Sequence, residues 1–406
     1  MPSAIDMPSG ELIISRKEHA DRVAKVRSAL RKRKLKGLYL TNPTRILYST
    51  GFAHISTERP LAVVIPAEGP VFLMGPRLEY DHVKQETQLI EQVYDYPDYP
   101  GKIHPLKHFA KILESKRLAK SKIATDSISG AAGGWGYQGP SLKELMPDTR
   151  FSDGRNIVDQ MRLVKSKQER HLLRESAKWS QVAHDVLIES VAPGSSDVLV
   201  GLKASQEALR RMLRKLGGTY RQLKWGLSPV VAGFRGQVGP ESAIPHAVFT
   251  KRKMRKGDIL ISEAGVEIGG YTSELERTIV IGKPSSRSKK YFNVMLKAQS
   301  ASLREFRPGT KCSHIDEVSR KAIEMEGFGD CIRHHTGHGI GLDAHEPPWL
   351  DPGDGSTMKT GMVFSCEPGI YVPGYAGFRH SDTIEVTRTG MEFITEYPRE
   401  LEDLTA

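Results

Sequence analysis

The chain has 406 residues, of which 38% are hydrophobic and 26% are charged, proportions typical of a globular protein in water. This length exceeds what a single hydrophobic core usually serves and predicts two or three domains. No apolar run is long enough to cross a bilayer, and the first 20 residues lack the apolar segment of a signal peptide. We therefore expect a cytoplasmic protein that does not enter a membrane.

The net charge of +11 is concentrated in two basic runs, residues 22–36 and 251–256. Such runs are compatible with a polyanion site or with an ordinary solvated surface. No aromatic residue that would stack on a base interleaves with either run, so nucleic acid is not the expected partner. The three cysteines, Cys312, Cys331 and Cys366, lack metal-ligand spacing and are expected to be free thiols in a reducing compartment.

Strands and helices alternate along the first 160 residues. Apolar residues at helical spacing predict a helix from Glu18 to Lys36, which ends at Gly37. Further predicted elements are strands at 37–41, 61–66, 70–75 and 122–127 and a helix at 104–115, the strands at 61–66 and 70–75 forming a hairpin. The alternation predicts a small α/β domain, residues 1–160.

The second predicted domain, residues 161–406, contains an internal duplication. Ser166 and Glu169 have the spacing of a capping box, and a helix should run from there to about Ser190. Residues 191–218 and 306–329 share one order: a Pro-Gly turn, a helix that ends at glycine, and then a strand-rich block. Two related halves of this kind are expected to pack about a pseudo-twofold axis with a cleft between them.

Three acids lie on a predicted hairpin at residues 259–278. The turn falls at Gly269-Gly270, Glu263 precedes it, and Glu274 and Glu276 follow it on one face of the second strand. Carboxylates aimed at one point repel each other unless a metal ion, another cation or a shared proton lies between them. A polar, solvated hairpin face is the alternative interpretation of this segment alone.

Further candidate residues follow in both halves of the second domain. His246 lies in IPHAVFT, and GHGIGLDAHEPP places His338 and His345 among glycines, which allow a backbone to approach a substrate closely. Glu367 precedes a Pro-Gly turn, and GFRHSD contains Arg379. Each of these residues alone is compatible with a structural role, whereas the combination indicates a catalytic site.

The combination resembles the creatinase/prolidase/methionine-aminopeptidase superfamily, strongly over residues 166–387 and more weakly before them. The resemblance implies an α+β fold in which a small α/β N-terminal domain precedes a duplicated "pita-bread" catalytic domain. It also implies a hydrolase and a homodimer.

Metal-dependent members of this superfamily hold two divalent ions with two Asp, one His and two Glu. The corresponding positions here are Glu263, Glu274, His338, Glu367 and Ser381. Each Glu in place of Asp shifts the carboxylate by one methylene, and Ser381 removes a negative charge. We expect either no metal or a single divalent ion (Mn, Co or Fe), bound by Glu263, Glu274, His338 and Glu367, rather than a full dinuclear site.

The leading hypothesis is a creatinase-like hydrolase that cleaves a C–N bond in a small carboxylate-bearing amidino, cyclic amidine or amide substrate. His246 would act as general base and then acid, and His338 and His345 would donate hydrogen bonds to the oxyanion. The creatinase-type motifs "LERT" and "EP" assign catalytic roles to Glu276 and Glu367. The substrate-binding residues would be Glu263, Glu274, Arg379 and, from the partner subunit of a dimer, Arg59 in the Arg-Pro pair of STERP.

Two alternatives remain open. A metal-dependent Xaa-Pro aminopeptidase or dipeptidase, or a lyase on the same scaffold, would use the same residues with Glu263, Glu274, His338 and Glu367 as metal ligands. A binding protein on a disabled peptidase fold, contacting RNA or another protein, would not need the retained His246, His338, His345 and Glu367.

Overall fold

The computed structural model describes residues 10–87, 89–131, 139–225 and 228–406. The N-terminal part contains a six-stranded sheet of order β4-β3-β2-β1-β5-β6. Its strands are β1 (Gly37–Leu40), β2 (Ala62–Pro66), β3 (Phe72–Pro76), β4 (Gln92–Tyr96), β5 (Lys122–Thr125) and β6 (Arg150–Asp153). Its helices are α1 (Arg16–Lys32), α2 (Pro43–Thr50), α3 (Tyr80–Glu86), α4 (Pro105–Ser115), α5 (Leu142–Leu145) and α6 (Arg155–Arg162). The central strands β1, β2 and β3 are buried along their whole length, as their apolar sequences require.

The predicted elements of this part are confirmed except for the end of the first helix. The antiparallel β2–β3 pair, α4 and β5 lie where the sequence placed them. However, α1 ends at Lys32 and not at Lys36, because Lys34 adopts a left-handed backbone with φ 54°. The amide of Leu35 then bonds to the carbonyl of Leu30 at 2.9 Å and closes the helix.

The C-terminal part contains two helix pairs that pack against a nine-stranded sheet. The helices are α7 (Lys167–Glu189), α8 (Asp197–Leu216), α9 (Ser286–Glu305) and α10 (Cys312–Glu324). The strands are β7 (Val230–Gly233), β8 (Ile259–Ile261), β9 (Glu263–Ile268), β10 (Tyr271–Thr272), β11 (Leu275–Glu276), β12 (Thr278–Val280), β13 (Gly337–Gly339), β14 (Glu346–Leu350), β15 (Val363–Cys366), β16 (Gly369–Val372), β17 (Ala376–Arg379), β18 (Ser381–Val386) and β19 (Met391–Phe393). The predicted capping box at Ser166 and Glu169 starts α7, and the two helix pairs follow the order that the duplication predicts. Within the described ranges, no helix combines the length and apolar composition that crossing a bilayer requires.

The predicted acid hairpin turns at Gly269-Gly270, where both residues have positive φ and Tyr271 pairs with Ile268. Both strands of the hairpin are interrupted, in contrast to the two continuous strands expected: the first is divided into β8 and β9 and the second into β10, β11 and β12. In the nine-stranded sheet, Leu275 of β11 pairs with Ala264 of β9 on one side and with Asp382 of β18 on the other, whereas β12 pairs with β8 in a separate sheet. Glu276 is thereby placed beside β18 of the second half.

A buried ion-pair cluster joins the two parts of the chain around the loop that leads to β14. Glu346 is buried, accepts a hydrogen bond from the guanidinium of Arg162 and forms an ion pair with Lys165, whose Nζ lies 2.8 Å away. Asp343 accepts from Arg162 at 2.7 Å and from the hydroxyl of Thr44 in α2 at 2.9 Å. These contacts fix the loop that carries His345 against α2 and α6.

We expect Glu346→Gln to destabilise the protein by about 3–5 kcal/mol, because it leaves the buried Lys165 ammonium without its carboxylate. Urea denaturation measures this change. The exposed Glu402→Gln is the matched control and should stay within about 0.5 kcal/mol of wild type. A loss below about 1 kcal/mol for Glu346→Gln would show that the cluster does not depend on this charge.

His184 is buried between α7 and the sheet, where its Nε2 lies 2.6 Å from the hydroxyl of Ser262 and its ring contacts Tyr397. Burial, with the charge of Arg277 adding to it, lowers the pKa of His184 to about 3. The unfolded chain takes up a proton here near pH 6.5 while the folded chain does not. The free energy of unfolding is therefore highest above pH 6.5, where His184 is neutral in both states. It decreases as the pH falls from 6.5 toward 3, because protons then bind to the unfolded chain and not to the folded one.

For His184 alone, the free energy of unfolding should fall by about 2 kcal/mol between pH 7 and pH 5. We expect His184→Asn to reduce the measured pH dependence by this amount, with His314→Asn, at an exposed histidine, as the matched control. Urea denaturation at both pH values measures the difference. Equal pH dependence in wild type and His184→Asn would contradict the assignment.

Candidate functional site

Two carboxylates face one nitrogen of a fully buried histidine. His338 lies on β13, Glu367 directly follows β15, and Glu274 directly precedes β11. The Nε2 of His338 lies 3.4 Å from Glu367 Oε1 and 4.0 Å from Glu274 Oε2, and it has no hydrogen-bond partner. The other ring nitrogen contacts the carbonyl of Gly339 at 3.0 Å. A buried polar atom without a partner, faced by two acids, indicates a position for a proton or a metal ion.

The neighbouring strands bring these residues together. The sheet order β11-β18-β15-β13 aligns the three elements across one face. β13 approaches β14 so closely at Gly339 that a Cβ there would lie 2.5 Å from the carbonyl oxygen of Pro347. Only glycine fits, which explains why His338 is flanked by glycine in the sequence.

The acids and the histidine shift one another's proton affinity. Burial opposes the charged form of His338, but Glu367 and Glu274 outweigh it and raise the pKa of His338 to about 9. Burial alone would raise the pKa of Glu367. Its contact with His338 and the charge of Arg379 outweigh burial and hold the pKa of that carboxyl well below its usual range. For Glu274, burial and the charge of Glu367 raise the pKa.

Glu276 is 2% exposed, and its carboxylate is bound by Arg379. Both of its carboxylate oxygens contact the guanidinium of Arg379, whose Nη1 donates to the hydroxyl of Tyr371 at 2.9 Å. Burial raises the pKa of Glu276, although Arg379 acts in the opposite direction. Arg379 is buried behind the carboxylates, also 3.7 Å from Glu367, and its predicted contact with substrate stays a prediction.

Ser381, at the fifth position of the metal pattern, hydrogen-bonds to Glu274. Its hydroxyl donates to Glu274 Oε1 at 2.6 Å, and the hydroxyl of Ser365 donates to the same oxygen at 2.7 Å. Two donors on Oε1 fix the carboxylate and leave Oε2 directed toward His338. Ser381 therefore orients a neighbouring ligand where the metal pattern would have a further carboxylate.

The structure places Glu263 apart from this group. Its carboxylate contacts the Nε of Arg235 in a direct ion pair, and Arg235 Nη2 lies 3.7 Å from Glu276 Oε1. The predicted ligand role of Glu263 stays a prediction. In this structure its carboxylate forms an ion pair with Arg235.

The two remaining histidines lie at the rim. The exposed His345 stacks on the His338 ring, with centroids 3.8 Å apart and 20° between the planes. Partial burial and the charge of His338 lower the pKa of His345 to about 4. His246 is exposed, follows the short 3-10 turn Gly239–Ala243, and is near enough for its charge to act on His345. Its predicted acid–base role stays a prediction.

Arg59 does not reach the cleft of its own chain. It pairs with Asp98 at 3.1 Å and with Glu58 at 2.6 Å, and it lines a separate cavity of about 140 Å³. Its predicted role requires a partner subunit and stays a prediction.

A cavity of about 900 Å³ opens onto the carboxylates between the two parts of the chain. One wall comes from the N-terminal part and includes Pro43, Leu47 and Ile55. The opposite wall includes Trp225 and Val231, and Glu263 and Glu274 also line the cavity. This size suits a small ligand with apolar groups and a few polar anchors.

The cleft contains possible ligands for a divalent ion. Possible ligand atoms lie within 4.8 Å of one another in two groups that share Glu274, one with His338 and His345 and the other with Glu276 and Glu367. Because Arg379 occupies both oxygens of Glu276, the acids left to bind an ion beside His338 are Glu274 and Glu367.

Sequence reasoning missed Arg235, Ser365 and Tyr371. Ser365 had a usable signal, since it lies two residues before Glu367 and residues at this spacing share a strand face. Arg235 lies in a loop without a motif, and Tyr371 acts only through Arg379.

Both parts of the chain match known protein families. The model of metallopeptidase family M24 matches residues 171–388, which is more than half of the chain, and the creatinase/prolidase N-terminal domain matches residues 22–164. The Xaa-Pro dipeptidase of Pyrococcus furiosus is 26% identical over 90% of this chain and 94% of its own length. The Xaa-Pro dipeptidase of Pyrococcus horikoshii is 28% identical over 86% of this chain and 91% of its own length.

Two solved structures are similar over almost the whole chain. Dipeptidase PepE from Mycobacterium ulcerans superposes with a TM-score of 0.81 at 26% identity, covering 97% of this chain and 100% of that protein. The Xaa-Pro dipeptidase from Bacillus anthracis superposes with a TM-score of 0.79 at 25% identity, covering 96% and 100%. The chain belongs to metallopeptidase family M24, as a hydrolase in which a creatinase/prolidase N-terminal domain precedes the pita-bread domain.

Proposed function

We propose that this protein hydrolyses the peptide bond of Xaa-Pro dipeptides or of closely related small carboxylate-bearing amides, with one divalent ion at Glu274, His338 and Glu367. The observation that carries the proposal is the partnerless Nε2 of the buried His338, with two carboxylates 3.4 and 4.0 Å away. Relatives named Xaa-Pro dipeptidase, matched over most of the chain, support the substrate class. They favour this alternative over the creatinase-like hypothesis.

A set of carboxylate and imidazole ligands suits Mn, Co or Fe. When bound, the ion supplies Lewis-acid polarisation of the scissile carbonyl. The proton that His338 retains up to about pH 9 competes with the ion for the same nitrogen, so ion affinity should rise with pH.

The other residues of the cleft have roles that follow from their positions. Ser365 and Ser381 hold one oxygen of Glu274, which aims the other oxygen at His338. His345 is neutral at pH 7 and can donate a hydrogen bond to the developing oxyanion. The exposed His246 can exchange protons with solvent and with the leaving nitrogen. Apolar groups that line the cavity, such as Ile55, suit the proline ring.

Metal-free hydrolysis of a creatinase type is the second candidate. The observation that favours it is that side chains of the protein itself balance the negative charge of three carboxylates. Arg379 contacts Glu276, Arg235 contacts Glu263, and His338 faces Glu367. However, Glu276 has no free oxygen for the guanidinium of a creatine-like substrate, which favours the dipeptidase.

We also infer a cytoplasmic homodimer. The three cysteines are free, which suits a reducing compartment. Arg59 lies in the N-terminal part, where it is partly exposed and available to a neighbouring subunit.

The decisive test is metal content together with Xaa-Pro cleavage. Protein purified without added metal and then dialysed against Mn, Co or Fe should retain about one equivalent, cleave Xaa-Pro dipeptides in preference to Xaa-Ala dipeptides, and lose activity on chelation. His338→Asn should lower kcat/KM by at least about 10²-fold and abolish metal retention, because it removes the ligand on which both acids converge.

The exposed His314→Asn is the matched control and should behave as wild type. Chelator-resistant cleavage of creatine or another amidino acid, without Xaa-Pro activity, would establish the second candidate instead. No turnover of either substrate class would contradict both.

A further inference from the structure

We propose that Lys224 binds a carboxylate group of the substrate and thereby selects for anionic substrates; this inference rests on the proposed function for the cleavage of small carboxylate-bearing amides. Lys224 lies in the segment between α8 and β7 and lines the cavity of about 900 Å³. Among the described residues of this lining, Lys224 is the only lysine or arginine, whereas four residues are acidic: Glu263, Glu267, Glu274 and Asp343. His54, also in the lining, is neutral at pH 7, because burial lowers its pKa to about 4. The acids repel an incoming carboxylate, and Lys224 is the side chain that attracts it.

The ammonium of Lys224 is fixed beside the loop that carries His345. Its Nζ donates to the carbonyl of Leu342, three residues before His345, and this is its only hydrogen-bond acceptor among the described residues. The backbone before Lys224 is held by Glu267, whose Oε1 accepts from the amide of Leu223 at 3.4 Å. An ammonium group has three donor hydrogens, so two remain for a ligand in the cavity.

The acids around Lys224 are bound by other donors. Three of them act on Lys224 through their charge, but none forms an ion pair with it in the described part of the chain: Asp343, Glu267 and Glu346. Asp343 and Glu346 both bind Arg162 instead, and Glu267 accepts from backbone amides. Burial outweighs these charges and lowers the pKa of Lys224. A carboxylate on the ammonium would supply the direct partner that the chain itself does not provide.

The arginines nearest to the site are already paired. Arg379 and Arg235 each contact a carboxylate of the site, and Arg59 lines a separate cavity. Lys224 is therefore the cation that a single chain offers to a substrate carboxylate in this cavity.

Kinetics with matched substrates test this inference. The carboxylate can come from the C-terminus of a dipeptide or from an acidic side chain at the Xaa position, so kcat and KM are measured with Leu-Pro, Leu-Pro amide and Glu-Pro. Lys224→Met and Lys224→Gln should raise KM about tenfold or more for the substrate whose carboxylate is bound, because a charged hydrogen bond is lost. The value of kcat should stay within about twofold, since the contact is made in the ground state and the transition state alike. Lys224→Arg should retain most of the affinity, and Lys321→Met, at an exposed lysine of α10, is the matched control.

The pattern across the three substrates identifies the source of the carboxylate. A KM that rises for Leu-Pro but not for its amide assigns Lys224 to the C-terminal carboxylate. A KM that rises for Glu-Pro alone assigns it to the Xaa side chain. A KM that rises equally for all three substrates or for none, in variants with a wild-type thermal transition, would overturn the proposal. The same loss in Arg59→Met, with Lys224→Met unaffected, would assign the carboxylate to the partner subunit instead.

Binding without turnover separates this inference from the proposed function. Calorimetric titration of chelator-treated protein with the same three compounds measures the preference for a carboxylate directly. If wild type cleaves none of them but shows this preference, and Lys224→Met loses it, the proposed function fails and the role of Lys224 stands. Cleavage of Leu-Pro and Glu-Pro with equal KM in wild type and Lys224→Met would sustain the proposed function and reject the role of Lys224.

Discussion

Repulsion among carboxylates is the constraint on which the rest of this site depends. Glu276 and Glu367 are buried, Glu274 is half-buried beside them, and Glu263 is half-buried at a separate position. Taking even one uncompensated carboxylate out of water costs several kcal/mol. A different group stabilises each carboxylate. The buried Arg379 binds Glu276, and Arg235 contacts Glu263. The imidazole of His338 faces Glu367, and two serine hydroxyls donate hydrogen bonds to Glu274.

β18 separates two charge networks by the alternation of a strand. Ser381 points toward the cleft and bonds to Glu274, whereas the next residue, Asp382, points away and pairs with Arg277 at 2.7 Å. Both partners of that pair are fully buried, and Arg277 also donates to the carbonyl of Ser381 at 3.0 Å. The network behind the sheet therefore fixes the backbone from which Ser381 reaches the site.

Local sequence signals predicted the elements, but they did not predict contacts made by loops. The capping box at Ser166, the Gly269-Gly270 turn and the spacing of the Glu and His motifs are short-range features, and they placed α7, the hairpin and the cleft. The predicted end of α1 was wrong, because the helix ends at a lysine, Lys34, that adopts a left-handed backbone conformation. Lysine has no preference for this conformation, so the sequence does not indicate it. Arg235 was missed, since its contact with Glu263 depends on the β7–β9 register and on an unusual backbone.

The proposed metal position has to be compatible with three substituted ligand positions, and the distribution of cations bears on this. Ser381 carries no charge, and Arg235 places a positive charge beside Glu263, so both residues lower the need for a metal ion on that side of the cleft. A second divalent ion would then add excess positive charge beside Glu263. On the other side, Glu274 and Glu367 face His338 and raise its pKa to about 9, because their negative charge favours a cation at this position. In the proposed function, one exchangeable cation satisfies this balance, as either a proton on His338 or a metal ion in its place. The two forms differ in the Lewis acidity that amide hydrolysis requires, and so metal supply and pH together determine which form is present.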